Sequence, residues 1–383
     1  MNVKAGGSKA PAHAQGGLEK GAEAAASSGE RTNVFPSDAA YLTSSVVREH
    51  LLRGFVPADP FIGPDTRVVV CGSSFGADLV DRLDKIGRRA APEADRAARV
   101  STIGEDADTF ALRGRLEWAW LDNAPPPRPF RRGADEAGSR DAARLKAVGL
   151  LDSADVFVLT LDRSEISCDA ATGEALRSAV PVERLDPALH AFRVSTHHEN
   201  LVNLLEIYKL IRQRRPEAAI VFALSPTPLE ATFRPVSCLS ANFASKAILR
   251  AALDEFLRAA QPRDRRLFYF PSYELVQLPF RNPFMVDRRR VRKHVLDFAM
   301  RAFERCFLIS GASDAQIERV FRAALVKDAL LGAEGAASRE GRLGGSPEEE
   351  RRFRGEARKL DRVAARLRDR AVENLARAKT VKG

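Results

Sequence analysis

The sequence predicts an α/β protein, because short apolar strands alternate with amphipathic helices along the chain. Four apolar runs predict buried strands, at residues 68–71, 155–161, 219–224 and 267–270. Residues with helical spacing of apolar positions fill much of the chain between these runs. Such an alternation favours a parallel sheet that is covered by helices and joined by right-handed crossovers.

The first strand turns into a helix without a linker. The run VVVCGSSFGADLVDRL, residues 68–83, begins with an apolar strand and continues with apolar residues at helical spacing. Gly72, Ser73 and Ser74 stand between the two elements, so they lie at the C-terminal end of the strand, where open α/β sheets bind ligands. A serine in this turn is either a nucleophile beside the free N–H groups of the helix or only a helix cap.

The remaining helices are predicted from the same periodicity. They cover residues 40–53, 109–120, 141–151, 199–215, 242–257 and 291–307. Trp118 and Trp120 fall in one of them and are predicted to pack in the core. Residues 162–196 contain turns and no strong period, so no regular element is predicted there.

The chain divides into four regions on composition. Residues 1–38 are predicted to be a disordered tail, 39–310 an α/β domain, and 311–346 a helical segment with a Gly- and Ser-rich linker. Residues 347–379 predict a long charged helix with a thin apolar stripe. That helix either packs on its own domain or joins copies of the chain into a homo-oligomer.

Charge and cysteine usage limit the function classes. The net charge is +10, but basic residues are mixed with acids along the chain, so nucleic acid is not the expected partner. No apolar stretch is long enough to span a membrane. The four cysteines lack the spacing of metal ligands and are predicted to be buried free thiols. We therefore expect a cytoplasmic protein without metal or organic cofactor.

Several segments together resemble the GSCFA family, which is related to the SGNH (GDSL-like) hydrolases. They follow the family's order and span about residues 50–305. The matching segments are FIGPDTRVVVCGSSFGADL (61–79), TFALRGRLEWAW (109–120), DVFVLTLDRSE (155–165), FALSPTPLEATF (222–233), SANFASKAILRAALDEF (240–256), YFPSYE (269–274) and DRRRVRKHV (287–295).

The resemblance implies a flavodoxin-like three-layer α/β/α sandwich with its site at the strand ends. It also implies a serine esterase or acyltransferase that acts on an acylated carbohydrate or a similar small ester. The nucleophile of SGNH enzymes is the third residue of a Gly-Asp-Ser turn, which corresponds to Ser74 here. The GSCFA motif usually has cysteine at that position, and Ser73 matches the serine of the family, so Ser73 is the second candidate.

The acid and base of SGNH enzymes form an Asp-x-x-His pattern near the end of the domain. Asp287 matches the acid, whereas Arg290 stands where the pattern has histidine. Arginine stays protonated and cannot act as a base. His294 follows one helical turn later and is the candidate base, with His197 and His198 as alternatives.

Oxyanion donors are expected from the Ser74 N–H and from the turn after the strand at 155–161. The family tends to have glycine where this chain has Asp162, and a carboxylate beside an oxyanion would raise the barrier. For the other candidate residues, the alternatives to oxyanion or substrate binding are structural roles: a helix cap, a turn, or a lysine exposed to solvent. The remaining candidates for oxyanion or substrate binding are Thr160, Ser164, Glu165, Ser225, Thr227, Lys246, Tyr273 and Glu274.

The two departures from the pattern leave a second function open. Arg290 and Lys246 would line a cleft that binds an anionic sugar or a phosphate-bearing ligand without catalysis. The sequence does not decide between this binding protein and the esterase or acyltransferase.

Overall fold

The computed structural model describes residues 33–38, 40–90, 100–103, 108–122, 137–176, 186 and 188–341. Residues 33–36 belong to a separate N-terminal unit and have no regular secondary structure. All elements discussed below belong to the unit that begins at Ser37.

Five strands form a parallel sheet at the centre of this unit. The described part of the chain contains seven strands, of which β4 and β5 form a separate antiparallel hairpin. They are β1 (Val68–Gly72), β2 (Val100–Thr102), β3 (Val156–Leu161), β4 (Glu165–Asp169), β5 (His190–Val194), β6 (Ala219–Leu224) and β7 (Leu267–Phe270). The sheet order is β2-β1-β3-β6-β7, and every neighbouring pair is parallel. This is the flavodoxin-like order of doubly wound sheets, in which ligands bind beyond the carboxyl ends of the strands.

Helices cover both faces of the sheet. They are α1 (Ser74–Ala90), α2 (Thr109–Leu121), α3 (Ala137–Ser153), α4 (His197–Arg214), α5 (Cys238–Ala260), α6 (Ser272–Gln277), α7 (Lys293–Phe307) and α8 (Asp314–Gly341). Three single turns precede β1 or β7: the 3-10 turns Ala40–Leu42 and Gln261–Arg263 and the π-helical turn Val47–Leu51.

The alternation of side chains along the strands builds two cores. Val68 and Val70 of β1 face one core, which is shared with α1, α6, α7 and α8. Val69 and Cys71 face the other core, which is shared with α2, α3, α4 and α5 and includes both tryptophans. The predicted α/β class and the three-layer α/β/α sandwich are therefore confirmed.

Several predicted boundaries differ from the structure. The helix predicted over 40–53 is only two separate turns, and the short strand β2 was not predicted. Residues 162–196 contain the antiparallel hairpin of β4 and β5 instead of turns alone. Helix α8 extends to Gly341, into the stretch that was predicted as a linker. The predicted helix at 347–379 and residues 1–32 lie outside the described residues.

Three of the four cysteines are buried as predicted, and Cys238 is not. Cys71, Cys168 and Cys306 are buried, Cys238 is half-buried, and none of the four forms a disulfide. Among the described residues, no helix is long and apolar enough to cross a membrane.

Candidate active site

A glycine makes the turn between β1 and α1 possible. Gly72 has φ of +119°, a conformation that side chains with a Cβ rarely adopt. A Cβ on Gly72 would lie 1.9 Å from the carbonyl oxygen of Thr160 on the neighbouring strand β3. The chain can therefore turn sharply here and direct the next residues to the carboxyl end of the sheet.

Ser73 is held by Thr160. Its N–H donates to the Thr160 carbonyl at 3.1 Å and to the Thr160 hydroxyl at 2.7 Å. The Ser73 hydroxyl donates to the same Oγ1 at 3.0 Å, and Thr160 in turn donates to the Cys71 carbonyl. Ser73 is buried, so its hydroxyl belongs to the structural connection between β1 and β3 rather than to an open crevice.

Ser74 is the exposed residue of the pair. It is the first residue of α1, and its Oγ lies 3.3 Å from the Oγ1 of Thr227. Within the described residues, the backbone N–H groups of Ser74 and Phe75 have no hydrogen-bond acceptor. Neither serine hydroxyl caps α1. The turn therefore offers a hydroxyl and two N–H donors side by side, which is the arrangement that stabilises a developing oxyanion.

The loop after β6 forms the opposite wall. Ser225 is fully buried, its N–H donates to the Leu161 carbonyl, and its hydroxyl accepts the N–H of Thr227. Ser225 therefore shapes the loop, and Thr227 presents its hydroxyl to Ser74. The next residue, Pro228, accepts a hydrogen bond from the Arg289 guanidinium at 3.4 Å.

That contact brings the Asp287 turn to the same loop. The Asp287 Oδ1 accepts the N–H groups of Arg289 and Arg290 at 3.0 Å each, and its Oδ2 pairs with the Arg290 guanidinium. Arg288 completes the turn in the left-handed region, with φ of +53°. Burial alone would raise the pKa of Asp287, but the hydrogen bonds from Arg289 and Arg290 outweigh it and hold the pKa below its ordinary value.

Among the described residues, no histidine forms a hydrogen bond with Ser74 or Asp287. His294 lies on α7 with its ring edge against Phe280, and its Nε2 is buried without a partner. Burial lowers the pKa of His294. The predicted role of His294 as the base therefore lacks the contact to Ser74 or Asp287 that it requires. His197 and His198 begin α4, where His197 pairs with Glu255.

Lys246 is buried, in contrast to the solvated lysine that was an alternative. Its Nζ donates to both the carbonyl and the carboxylate of Asp162 at 2.7 Å, and only 2% of its side chain is exposed. Burial lowers the pKa of Lys246, while the Asp162 carboxylate opposes that shift. The carboxylate predicted to disturb the oxyanion is thus neutralised by an ion pair, and Lys246 is not free to hold an anionic ligand.

Ser164 and Glu165 connect the hairpin to the rest of the site. Ser164 donates its N–H to the hydroxyl of Ser245 at 2.7 Å and accepts hydrogen bonds from Ser195, while its own hydroxyl is buried without a partner. Glu165 accepts the hydroxyl of Thr232 at 2.7 Å. Glu165 therefore holds the loop after β6 from the hairpin side, whereas Ser164 joins the start of the hairpin to α5.

Tyr273 and Glu274 follow β7 but point elsewhere. Glu274 accepts the hydroxyl of Tyr269 and the guanidinium of Arg250 at distances of 2.7–3.1 Å. Tyr273 packs against the core on the same face, and burial raises its pKa. Neither side chain is joined to Ser74 by a hydrogen bond in the described part of the chain. Arg289 was not predicted as a site residue, although it lies two residues after Asp287, the predicted acid, and joins the Asp287 turn to the loop after β6.

The comparisons with known proteins agree with the motifs. The model of the GSCFA family matches residues 67–303, which is more than half of the chain. The chain belongs to the GSCFA family. This GSCFA protein has no match among the curated proteins.

Two solved structures are similar to this GSCFA protein. One is the lipase Lip_vut3 from a goat rumen metagenome, with 11% identity, a TM-score of 0.29, and coverage of 68% of this chain and 97% of that chain. The other is a carbohydrate esterase family 2 enzyme with a carbohydrate binding domain from Corynascus thermopiles (Myceliophthora fergusii). It has 13% identity, a TM-score of 0.26, and coverage of 57% of this chain and 59% of that chain. Neither similarity decides the reaction.

Proposed function

We propose that this GSCFA protein is a serine esterase or acyltransferase whose nucleophile is Ser74. The substrate class is an acylated carbohydrate or a similar small ester. The observation that carries the proposal is the placement of an exposed hydroxyl at the carboxyl end of β1, beside two backbone N–H groups without acceptors. The buried Ser73 lacks this exposure and is not proposed as the nucleophile.

The reaction proceeds through an acyl-enzyme. The Ser74 Oγ attacks the carbonyl carbon of the ester, and the N–H groups of Ser74 and Phe75 receive the negative oxygen that develops. When the intermediate collapses, the acyl group stays on Ser74 and the alcohol leaves with a proton. Water completes hydrolysis, or a second alcohol completes transfer, by attacking the same carbonyl and restoring the Ser74 hydroxyl.

The serine proton needs an acceptor, and Asp287 is the proposed one. It occupies the position of the acid in the family pattern, and Arg289 ties its turn to the loop that carries Thr227. A carboxylate with a lowered pKa is a weak base, so we expect slow turnover. An imidazole at position 290 would supply a stronger base and would also release Asp287 from the arginine.

Hydrolysis of p-nitrophenyl acetate by the full chain tests this proposal. We expect Ser74→Ala to abolish the hydrolysis, Ser240→Ala on the exposed side of α5 to leave it unchanged, and Arg290→His to raise it. Equal rates for the unchanged protein and Ser74→Ala would contradict the role of Ser74. A rate that Arg290→His leaves unchanged would contradict the explanation of slow turnover.

One observation favours a second candidate, a binding protein for an anionic sugar or a phosphate-bearing ligand. Arg290 stands where the family pattern has histidine, and its guanidinium side chain is exposed. Under this alternative, glucuronate or glucose 6-phosphate raises the melting temperature, and Arg290→Ala removes the increase. An increase that persists in Arg290→Ala would exclude Arg290 as the anion contact.

Two further proposals concern the chain as a whole. We propose that residues 39–310 are the functional domain and that residues 347–379 associate with a second copy of the chain in the cytoplasm. Light scattering of the full chain, compared with a version that ends at Gly341, tests the association. An unchanged molar mass per chain would contradict it.

A further inference from the structure

The loop after β6, which carries Thr227 of the candidate site, and the start of α5 expose apolar side chains. Leu239 and Phe243 are 75% and 69% exposed and lie four residues apart on one face of α5. Phe233 and Val236 are also exposed, and the ring of Phe233 stacks on Phe192 of the hairpin. Single exposed apolar residues are common on proteins, but a contiguous group marks an interaction surface.

The Asp287 turn extends this group. Met285 and Val286 directly precede Asp287 and are exposed. Arg289 joins their turn to the loop after β6 by its hydrogen bond to Pro228 and its ion pair with Glu230. The loop is joined to α5 by the hydrogen bond from the Leu229 N–H to the Asn242 side chain, at 3.0 Å. The apolar residues on both sides of the loop therefore belong to one rim.

The same rim carries an excess of basic residues, although Arg289, Arg290 and Lys293 pair with Glu230, Asp287 and Asp297. Residues 281–293 contain six arginines and lysines and one acid, Asp287. Arg281 and Arg288 are exposed and form no ion pair within the described residues, so their charge is open to a partner. We call this surface the apolar–basic rim, which consists of Phe233, Val236, Leu239, Phe243, Arg281, Met285, Val286 and Arg288.

We propose that the apolar–basic rim binds the surface of an anionic lipid bilayer. Exposed aliphatic and aromatic side chains gain free energy when they enter the headgroup and acyl boundary, and arginines attract acidic headgroups. A nucleic acid would use the arginines but not the aliphatic side chains, and two copies of the rim would repel each other by charge. The proposal goes beyond the chemistry of Ser74 and does not depend on it.

Flotation of the full chain with vesicles tests the proposal. The vesicles contain phosphatidylcholine alone or phosphatidylcholine with phosphatidylserine. We expect binding only to the vesicles with phosphatidylserine, and weaker binding as the salt concentration rises. Because the readout is binding, its failure is distinct from a failure of the esterase proposal.

Two pairs of variants locate the surface. Leu239→Ser with Phe243→Ser, and separately Arg281→Glu with Arg288→Glu, are each expected to weaken vesicle binding by about tenfold or more. The matched apolar control is Val326→Ser with Leu330→Ser, an exposed pair at the same spacing on α8. The matched charge control is Arg263→Glu with Arg265→Glu, an exposed pair before β7 at the opposite end of the sheet.

Each outcome of the vesicle experiments either supports or overturns the proposal. Binding that the rim variants lose and the control variants retain supports the proposal. No binding to anionic vesicles, or equal losses in rim and control variants, overturns it. The proposal is also overturned if the rim variants keep vesicle binding but change the molar mass of the protein in solution, since the rim would then bind another protein chain. The same holds if they keep vesicle binding but lose affinity for a short DNA duplex, since the rim would then bind a nucleic acid.

Discussion

Two ion pairs at the carboxyl end of the sheet differ in burial and therefore in what they do. Asp162 and Lys246 form a buried pair, with 19% and 2% of their side chains exposed. Asp287 and Arg290 form a pair in which 20% and 60% are exposed. Asp162 and Arg290 are also the two departures from the pattern implied by the resemblance that would hinder the chemistry. Each departure has its own partner of opposite charge, so neither leaves an uncompensated charge at the site.

The buried pair is predicted to give the largest effect on stability. Lys246→Met leaves the partly exposed Asp162 carboxylate without its buried partner, so we expect the free energy of unfolding to fall by about 3 kcal/mol, the lower end of the range for buried ion pairs. The double variant Asp162→Asn with Lys246→Met removes both charges, and we expect a smaller loss. Urea denaturation measures both, and a loss below about 1 kcal/mol for Lys246→Met would contradict the burial argument.

The neutral buried contact between Thr160 and Ser73, next to Ser74, is predicted to give the second-largest effect on stability. Thr160→Val keeps the shape of the side chain but removes the acceptor of the Ser73 hydroxyl, while the Ser73 N–H keeps the Thr160 carbonyl as its acceptor. We expect a loss of about 1–3 kcal/mol, because the Ser73 hydroxyl is left buried without a partner. Urea denaturation tests this prediction, and no change in the midpoint would show that Ser73 finds another acceptor.

A third ion pair, of intermediate exposure, gives a dependence on pH. The hydrogen bonds from Arg193 on the hairpin, together with those from Thr196, lower the pKa of Glu199 to about 2 against opposing burial. A depressed pKa stabilises the fold above the unfolded pKa of 4.5, and that contribution is lost as the pH falls from 4.5 towards 2. We expect it to be about 1–2 kcal/mol after solvent screening.

Glu199→Gln should remove that part of the acid sensitivity. Unfolding measured at pH 6 and pH 3 separates the two proteins, because the unchanged chain loses more stability across this interval. Equal losses in both proteins would contradict the assignment to Glu199.

The exposed pair is predicted to give the smallest effect. Arg290→Ala removes one partner of Asp287 at a solvated position, so we expect a change of about 0–1 kcal/mol in stability. The pKa of Asp287 should rise towards its ordinary value, because one of the hydrogen bonds that lower it is lost. An NMR titration of the carboxyl measures this, and an unchanged pKa would assign the shift to the backbone N–H groups alone.

The fold could be predicted from the sequence wherever apolar runs are continuous. Strands β1, β3, β6 and β7 are such runs, whereas β2 has three residues and β5 is only half-buried, so neither gives a strong pattern. The hairpin of β4 and β5 also pairs residues that are 21 to 29 positions apart, from Asp169 with His190 to Glu165 with Val194, which periodicity does not record.

The site could be predicted as separate motifs but not as an arrangement. Ser74 and Asp287 stand out in the sequence, but the link from Arg289 to Pro228 joins positions 61 residues apart. Lys246 is predicted from the sequence either to contact an anionic group of a substrate or to be solvated, because most lysines are exposed. Its pairing with Asp162 depends on the tertiary packing that brings α5 to the turn after β3, which no local pattern gives.

The most direct test of the central claim is the mass of the full chain after reaction with a fluorophosphonate probe. The account predicts a single adduct that maps to the peptide with Ser74, disappears in Ser74→Ala and persists in Ser240→Ala. No adduct, or an adduct that survives Ser74→Ala and disappears in Ser73→Ala, would contradict the claim that Ser74 is the nucleophile.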